Sequence, residues 1–396
     1  MIQLKRNLEL DRLRAFAVLM TIFIHFSRIF FPWNIHQGYT HGTTILNLIE
    51  NSWAGVDLFF VISGYIISKM IVEKIDSLKG NTTELSQYIK GFYIRRFFRI
   101  YPVAWTIFAL VLFCSIFFNH SGNFSTPENV IESGITIFTY TFNYYFGSGQ
   151  YHGFTLSPYW SLSVEEQFYL VFPFLLIFIK SHRHRVLLLL GALILITFLI
   201  RPLSQDNIFY TQNRCDGLIY GCLLYYLTIQ PWFKALFSPP TNNQKFGPYS
   251  VLILLFALGT ITSVGFPNAA AIPLGCILSF CLVGIASIER KFISFGNIAN
   301  KILDYIGSRS YSLYLIHLPI FTLTQEFWFR ASHHLNFPIS ANLTWGYTIM
   351  AFMLTSIASE ISYRLIERPF IKKGQMLTNS TSGKPTAKEN LLSVAA

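Results

Sequence analysis

Ten stretches of the chain are almost wholly apolar: roughly residues 13–31, 54–72, 98–118, 164–180, 186–201, 213–230, 249–265, 271–288, 310–328 and 343–363. A helix needs about 20 mainly apolar residues to cross the hydrocarbon core of a bilayer, and most of these stretches are near that length. Polar and basic residues separate them. The pattern predicts an all-α fold, a polytopic membrane helix bundle with about ten transmembrane helices. A further apolar segment, Gly134 to Phe146, is too short to cross and is expected to be interfacial or re-entrant. From Gly374 onward the chain is polar and rich in Ser and Thr. The expected division is a transmembrane domain over 1–373 and a disordered cytoplasmic tail over 374–396. No internal repeat or soluble domain is evident.

Charge assigns sidedness. Cytoplasmic loops of membrane proteins collect Lys and Arg. With the N-terminus inside, 26 of the 30 Lys and Arg fall in inside segments, leaving only Arg28, Arg201, Arg214 and Arg330 outside. Both termini are therefore expected in the cytoplasm. The longest outside loop, 119–163, holds no Lys or Arg. Were Gly134–Phe146 to span, every later loop would change side and the bias would invert. Composition agrees: 52% of the residues are hydrophobic and 12% charged, against about 25% charged in a soluble domain. The net charge of +11 would suggest nucleic acid in a soluble protein. Here the positive-inside loops account for it, and no nucleic-acid partner is expected. The five cysteines lie in apolar runs without a CxxC pair, as small buried hydrophobes do, and no metal site is expected. The first apolar run lacks a convincing cleavage site and carries polar groups, so no cleavable signal peptide is expected.

Charged groups inside spans are costly in lipid and tend to face a bundle interior. The first span carries Asp11, Arg14 and His25. Arg14 and His25 are separated by three helical turns plus about 20°, so they share one face, about 16 Å apart along the axis. Asp11 lies on nearly the same face, and Arg12 points away from it. Arg14 alone would suit a snorkelling flank charge, and His25 alone an inter-helix hydrogen bond. Their shared face favours one cavity, with Arg14 near the cytoplasmic surface and His25 at depth. In the second span, Asp57 lies near the outer mouth and Gly64 permits close helix approach. Arg96 and Arg99 are neighbours at the cytoplasmic end of the third span; they suit phosphates or lipid headgroups. At the fourth span, Ser163-x-x-Glu166 reads as a capping box, which leaves Glu165 unexplained. Arg214 and Asp216 fall in the sixth span. In the ninth, Pro319 is expected to kink the helix beside His317, which itself suits a core hydrogen bond.

Together these segments resemble the acyltransferase-3 family of integral membrane acyltransferases over nearly all of the first 370 residues. The resemblance is carried by Leu10-Asp11-Arg12-Leu13-Arg14 with His25, and by Gly55-Val56-Asp57-Leu58-Phe59-Phe60-Val61-Ile62-Ser63-Gly64. Arg96-x2-Arg99 with Tyr101-Pro102 follows, then Trp160-Ser161-Leu162-Ser163-Val164-Glu165-Glu166-Gln167-Phe168-Tyr169. Ser310-Tyr311-Ser312-Leu313-Tyr314-Leu315-x-His317-x-Pro319 and Glu367-Arg368-Pro369 complete the series. Each motif is weak alone; six in order are specific. A glycine usual after the opening Leu-Asp is Arg12 here.

The resemblance implies transfer of an acyl group, often acetyl, from cytoplasmic acyl-CoA to a saccharide hydroxyl. Lipopolysaccharide O-antigen, peptidoglycan and exported or lipid-linked glycans are the acceptor classes, and the bacterial inner membrane is the setting. It implies essential roles for Arg14 and His25 and a donor site at Arg96, Arg99 and Tyr101. Acyl-CoA is a substrate, and no permanently bound cofactor is expected. Some members carry a C-terminal hydrolase-like domain; here a short tail is expected instead. The residues fit a mechanism with the phosphates of CoA at Arg14, Arg96 and Arg99 and the thioester brought towards His25. Histidine is readily tuned for proton transfer near neutral pH, and His25 would act as general base. Glu165 or Asp57 would orient it or bind the sugar. Asp11, Trp160, Glu166, Tyr314 and His317 are the remaining acceptor-side or supporting candidates. A transporter would also bury charges but would be expected to show an internal repeat; a subunit presenting lipid or glycan to a partner is the other alternative.

Overall fold

The structure, a computed structural model, describes residues 6–26, 53–204, 207–236, 246–261 and 267–380. Among the described residues the regular elements are all helical.

The first helix, α1 (Leu8–His25), starts at Asn7, whose side chain accepts from the Glu9 and Leu10 amides at 2.9 and 3.1 Å, satisfying two of the donors a helix start leaves open. Glu9 then accepts from the Lys291 and Ile293 amides. Arg12 forks onto Asp304 at 2.8 and 3.2 Å and onto the Ile293 carbonyl at 2.6 Å. These contacts bind the base of α1 to a short amphipathic helix later in the chain. They take Arg12 away from the Arg14 side, as the helical spacing predicts.

Helix α2 (Gly55–Leu78) is the hub of the bundle, packed against α1 and against three later helices: α6 (Tyr159–Phe178), α8 (Asp216–Thr228) and α10 (Asn268–Ser287). Gly64 makes this possible. A Cβ there would stand 2.1 Å from the Leu218 carbonyl oxygen, and one on Gly221 would stand 2.2 Å from that of Val61. Backbone approaches backbone, the arrangement small residues allow between membrane helices.

Helix α3 (Thr82–Phe117) is 36 residues long and runs unbroken through Pro102. Between α3 and α6, the expected interfacial segment folds as two short helices, α4 (Pro127–Phe138) and α5 (Phe142–Gly147), neither long enough to span. After α6 comes α7 (His182–Leu195), which continues through a widened turn to Leu203. Its outer face exposes Leu187, Ile194, Phe198 and Leu203, a lipid-suited periphery. Helices α8, α9 (Phe246–Ile261) and α10 follow, then the short α11 (Asn297–Ser308) carrying Asp304. Helix α12 (Ser310–Leu335) also runs through its proline and ends at Asn336, whose φ of 52° is left-handed. Finally α13 (Thr344–Ser362) passes through another widened turn into α14 (Arg368–Ser380).

Six of these helices are long and apolar enough to cross a membrane: α2, α3, α6, extended α7, α10 and the continuous α13–α14 rod. The other four expected spans coincide with helices that are short or charged: α8 has 13 residues, α9 has 16, and α1 and α12 carry ionisable groups. The last part of the first expected span, from residue 27, lies outside the described residues.

Two expectations need correction. Helix α6 begins at Tyr159, so Ser163 and Glu166 sit inside it; Ser163 Oγ donates to the Tyr159 carbonyl at 3.0 Å instead of capping. The preceding tight turn, not the capping-box pattern, sets the helix start. Helix α14 also continues to Ser380, into the segment expected to be an irregular tail. Its Gly374 packs against Phe98 of α3, and that docking stabilises a helix that composition alone would not support.

Candidate active site

A cavity of about 220 Å³ opens between α1, α2, α3, α6, α12 and α14. Arg14 lines it from α1, and Arg95, Arg96 and Arg99 line it from α3. Arg14 donates to Asp11 at 2.9 Å. Among the described residues, no ion pair engages Arg95, Arg96 or Arg99 at up to 4.0 Å. Arg96 lies over the Tyr169 ring, 4.4 Å from its centroid. Four guanidiniums against the one carboxylate in the lining, Glu165, form a site for a polyanion.

The far wall comes from α6. Ser161, Glu165 and Tyr169 follow one another at four-residue spacing and all line the cavity, as residues on one helix stripe do. Glu165 lies beside Ser63 of α2, within electrostatic reach of Arg96, Arg99 and Arg14. Glu166, one residue on, is rotated about 100° away and does not line the cavity. Its Oε1 is buried without a hydrogen-bond partner among the described residues.

Deeper in, Ser161 and Tyr314 share a 2.5 Å hydrogen bond. The Tyr314 ring is 6.2 Å from that of His317, one turn further along α12. His317 Nε2 is 2.7 Å from His25 Nδ1, and the two rings are nearly parallel. His317 Nδ1 lies 3.2 Å from the Leu313 carbonyl. A carbonyl only accepts, so in the neutral pair His317 Nδ1 carries the proton and Nε2 accepts from His25 Nδ1–H. The lone pair of His25 is then on Nε2, which makes Nε2 the basic nitrogen of the ring. On its other side, His25 meets the edge of Phe154, ring centroids 5.4 Å apart.

Of the residues singled out in the sequence, Arg14, Arg96, Arg99, Glu165 and Tyr314 line the cavity; Asp11 touches it through Arg14, and His25 is reached from Tyr314 through His317 and does not itself line it. Others lie elsewhere. Tyr101 stacks on Phe97 at 4.5 Å and abuts Trp105 and Tyr140. Five residues beyond Arg96, it is turned about 140° around α3, so the donor-site expectation for Tyr101 is not matched by its placement. Asp57 is held by Arg214 at 2.7 Å, both side chains buried, beside a second buried pair, Arg201–Asp216 at 2.5 Å. Trp160 faces Arg214, 5.5 Å from its guanidinium, so Trp160 and Asp57 belong to this charged cluster and not to the setting of His25.

Among the cavity residues that sequence reasoning did not single out are Arg95, Tyr169 and Gln375. Arg95 lies beside the arginines it singled out, and Tyr169 is one turn from Glu165, a spacing that could have found it. Gln375 comes from α14, where no sequence signal pointed inward.

Comparison with known proteins bears on this arrangement. Residues 7–363 match a family model described as an acyltransferase domain. The chain is 31% identical over 397 residues to the peptidoglycan O-acetyltransferase OatA of Listeria monocytogenes, covering 92% of this chain and 56% of that protein. It is 28% identical over 402 residues to the O-acetyltransferase OatA of Staphylococcus aureus, covering 92% and 57%. A putative O-acetyltransferase of the same species aligns at 27% identity. The chain thus spans little more than half the length of these relatives. No solved structure matches it significantly. The family match runs through every element that builds the cavity except α14, and the chain belongs to the acyltransferase-3 family.

Proposed function

We propose that the chain is an integral-membrane O-acyltransferase that moves an acetyl group from cytoplasmic acyl-CoA to a hydroxyl of an envelope saccharide. One observation carries this reading: Arg95, Arg96, Arg99 and Arg14 line one cavity with Glu165 and Tyr314, and the Tyr314 ring lies 6.2 Å from His317, which is bonded to His25 at 2.7 Å. The arginine end suits the phosphates of CoA. The extended pantetheine arm would follow the cavity towards the histidines.

At that end His25 Nε2 would take the proton of the acceptor hydroxyl. The oxygen attacks the thioester carbonyl, an ester C–O bond forms, and the C–S bond breaks. CoA leaves as thiolate and recovers the proton from the His25 imidazolium. During the step His317 Nε2 accepts a hydrogen bond from a charged ring, which strengthens it. Glu165 sits where it would balance the guanidinium charge or orient the donor.

In this proposal ten helices cross the bacterial cytoplasmic membrane, both termini are inside, and the loop 119–163 is outside. The basic split of 26 to 4 supports that register. The name of the Listeria relative makes peptidoglycan the first acceptor to test, ahead of lipopolysaccharide O-antigen. Purified protein in liposomes, given acetyl-CoA and peptidoglycan glycan strands, should release free CoA and form base-labile acetyl esters. A transporter or a presenting subunit would leave acetyl-CoA intact.

A further inference from the structure

A second cavity, of about 630 Å³, lies in the long loop between α3 and α6. Its walls come from Asn119, Glu128, Asn129, Glu132, Tyr145 and His152, among others. The site described above uses none of them. The lining is polar, with carboxylates, amides and a phenol, and the loop 119–163 that forms it contains no Lys or Arg.

The wall is preorganised. The single hydroxyl proton of Tyr145 faces two acceptors, Glu132 Oε2 at 3.1 Å and Asn129 Oδ1 at 3.3 Å. Asn129 Nδ2 donates to Ser125 Oγ at 2.7 Å, and that hydroxyl donates to the His152 carbonyl at 2.9 Å. The chain from His152 leads to the proposed base. Phe154 sets its ring against His25, and Thr155 bonds Thr322 of α12 at 3.1 Å. Two residues of extended chain cover about 7 Å, so cavity wall and His25 are joined by a short, fixed strap.

We infer that this cavity is the acceptor subsite and that it takes an uncharged, hydroxyl-rich stretch of saccharide; the inference rests on the acyltransferase reading above. Carboxylates and amide oxygens accept from sugar hydroxyls, amide nitrogens donate to them, and the Tyr145 ring offers a flat apolar face to a pyranose. A lining with carboxylates and, among the described residues, no Lys or Arg disfavours phosphate- or carboxylate-bearing ligands. The two cavities thus separate the substrates by charge: the polyanionic donor enters at the arginines and the neutral acceptor at the loop, and the His25 region lies between them.

The test is binding of chitotetraose, an uncharged N-acetylated tetrasaccharide, and of tetragalacturonate, its acidic counterpart, to the full chain in nanodiscs. Wild-type protein should bind chitotetraose and bind tetragalacturonate at least tenfold more weakly. The double variant Glu132→Gln, Asn129→Ala should lose at least tenfold in chitotetraose affinity while acetyl-CoA affinity and thermal midpoint stay unchanged. Tyr145→Phe, which keeps the ring, should lose less. Absence of chitotetraose binding, equal binding of the acidic sugar, or an unchanged affinity in the double variant would overturn the subsite. Acetyl-CoA consumption by the same wild-type sample separates the outcomes. If it persists, the acyltransferase reading survives loss of the subsite; if it is absent, that reading fails independently.

Discussion

His25 of α1 and His317 of α12 are joined nitrogen to nitrogen at 2.7 Å, and the Leu313 carbonyl beneath His317 fixes which of the four ring nitrogens carry protons. His317 therefore sets the tautomer of His25 and is a positioning residue. Its removal should cost more than loss of an ordinary core hydrogen bond. His317→Ala is expected to lower kcat by roughly 10- to 100-fold, as loss of a partner that orients a histidine does, with acyl-CoA affinity unchanged. His317→Gln, which keeps an acceptor for His25 Nδ1–H, should recover part of the rate. Equal loss in both variants would reduce His317 to packing.

The arginine cluster predicts a different signature. Arg96→Ala and Arg99→Ala each remove a charge-assisted contact worth roughly 1.5–3 kcal/mol, or about 10- to 150-fold in acyl-CoA affinity. Neither guanidinium is in an ion pair with a described residue, and each loss leaves Glu165 the other arginine and Arg14 as countercharge, so folded abundance should hold. Competition by desphospho-CoA should be less affected than competition by CoA. Arg14→Lys should fail, because an ammonium does not reproduce the guanidinium fork. Unchanged CoA binding in the Arg96/Arg99 double variant would return these residues to anchoring lipid headgroups.

Asp57 and Arg214 should behave as a structural pair. Their side chains are 1% and 4% exposed, and breaking a buried pair from one side costs about 3–5 kcal/mol. Asp57→Ala and Arg214→Ala should each reduce the amount of folded protein in the membrane. The double variant to small apolar residues should recover part of it, since no lone charge remains. A well-folded Asp57→Ala protein with impaired acceptor transfer alone would restore the acceptor-side role.

What the sequence made legible was what one helix determines. Apolar runs located the helices, eleven-residue spacing put Arg14 and His25 on one face, and a glycine marked the close contact of α2 and α8. What it hid depends on which helices are neighbours. Nothing local to His317 says that α1 lies opposite, and nothing near Asp57 says that Arg214 will claim it. Tyr101 and Glu166 were drawn in by adjacency to true cavity residues, although a shift of one or two positions rotates a side chain out of the site. Helix α14 reads as a polar tail because its stability comes from docking on α3.

Topology is open to chemical labelling. Of the native cysteines, Cys281 is the exposed one among the described residues, so the background is Cys281→Ser. Ser148 is exposed in the loop between α5 and α6. Ser148→Cys in that background should react with an impermeant thiol reagent in intact cells. Protection there, with labelling of a cysteine placed at Gln375 only from outside, would reverse the sidedness.

The central claim is that His25 takes the proton from the acceptor hydroxyl. The most direct measurement is the rate of acetyl-ester formation on glycan strands by His25→Ala and wild-type protein, matched for membrane abundance and acetyl-CoA affinity. A general base contributes about 10²–10⁴-fold, so the variant should bind the donor normally and form ester at least about a hundredfold more slowly. An abundant His25→Ala protein that binds acetyl-CoA and acetylates at the wild-type rate would contradict the account.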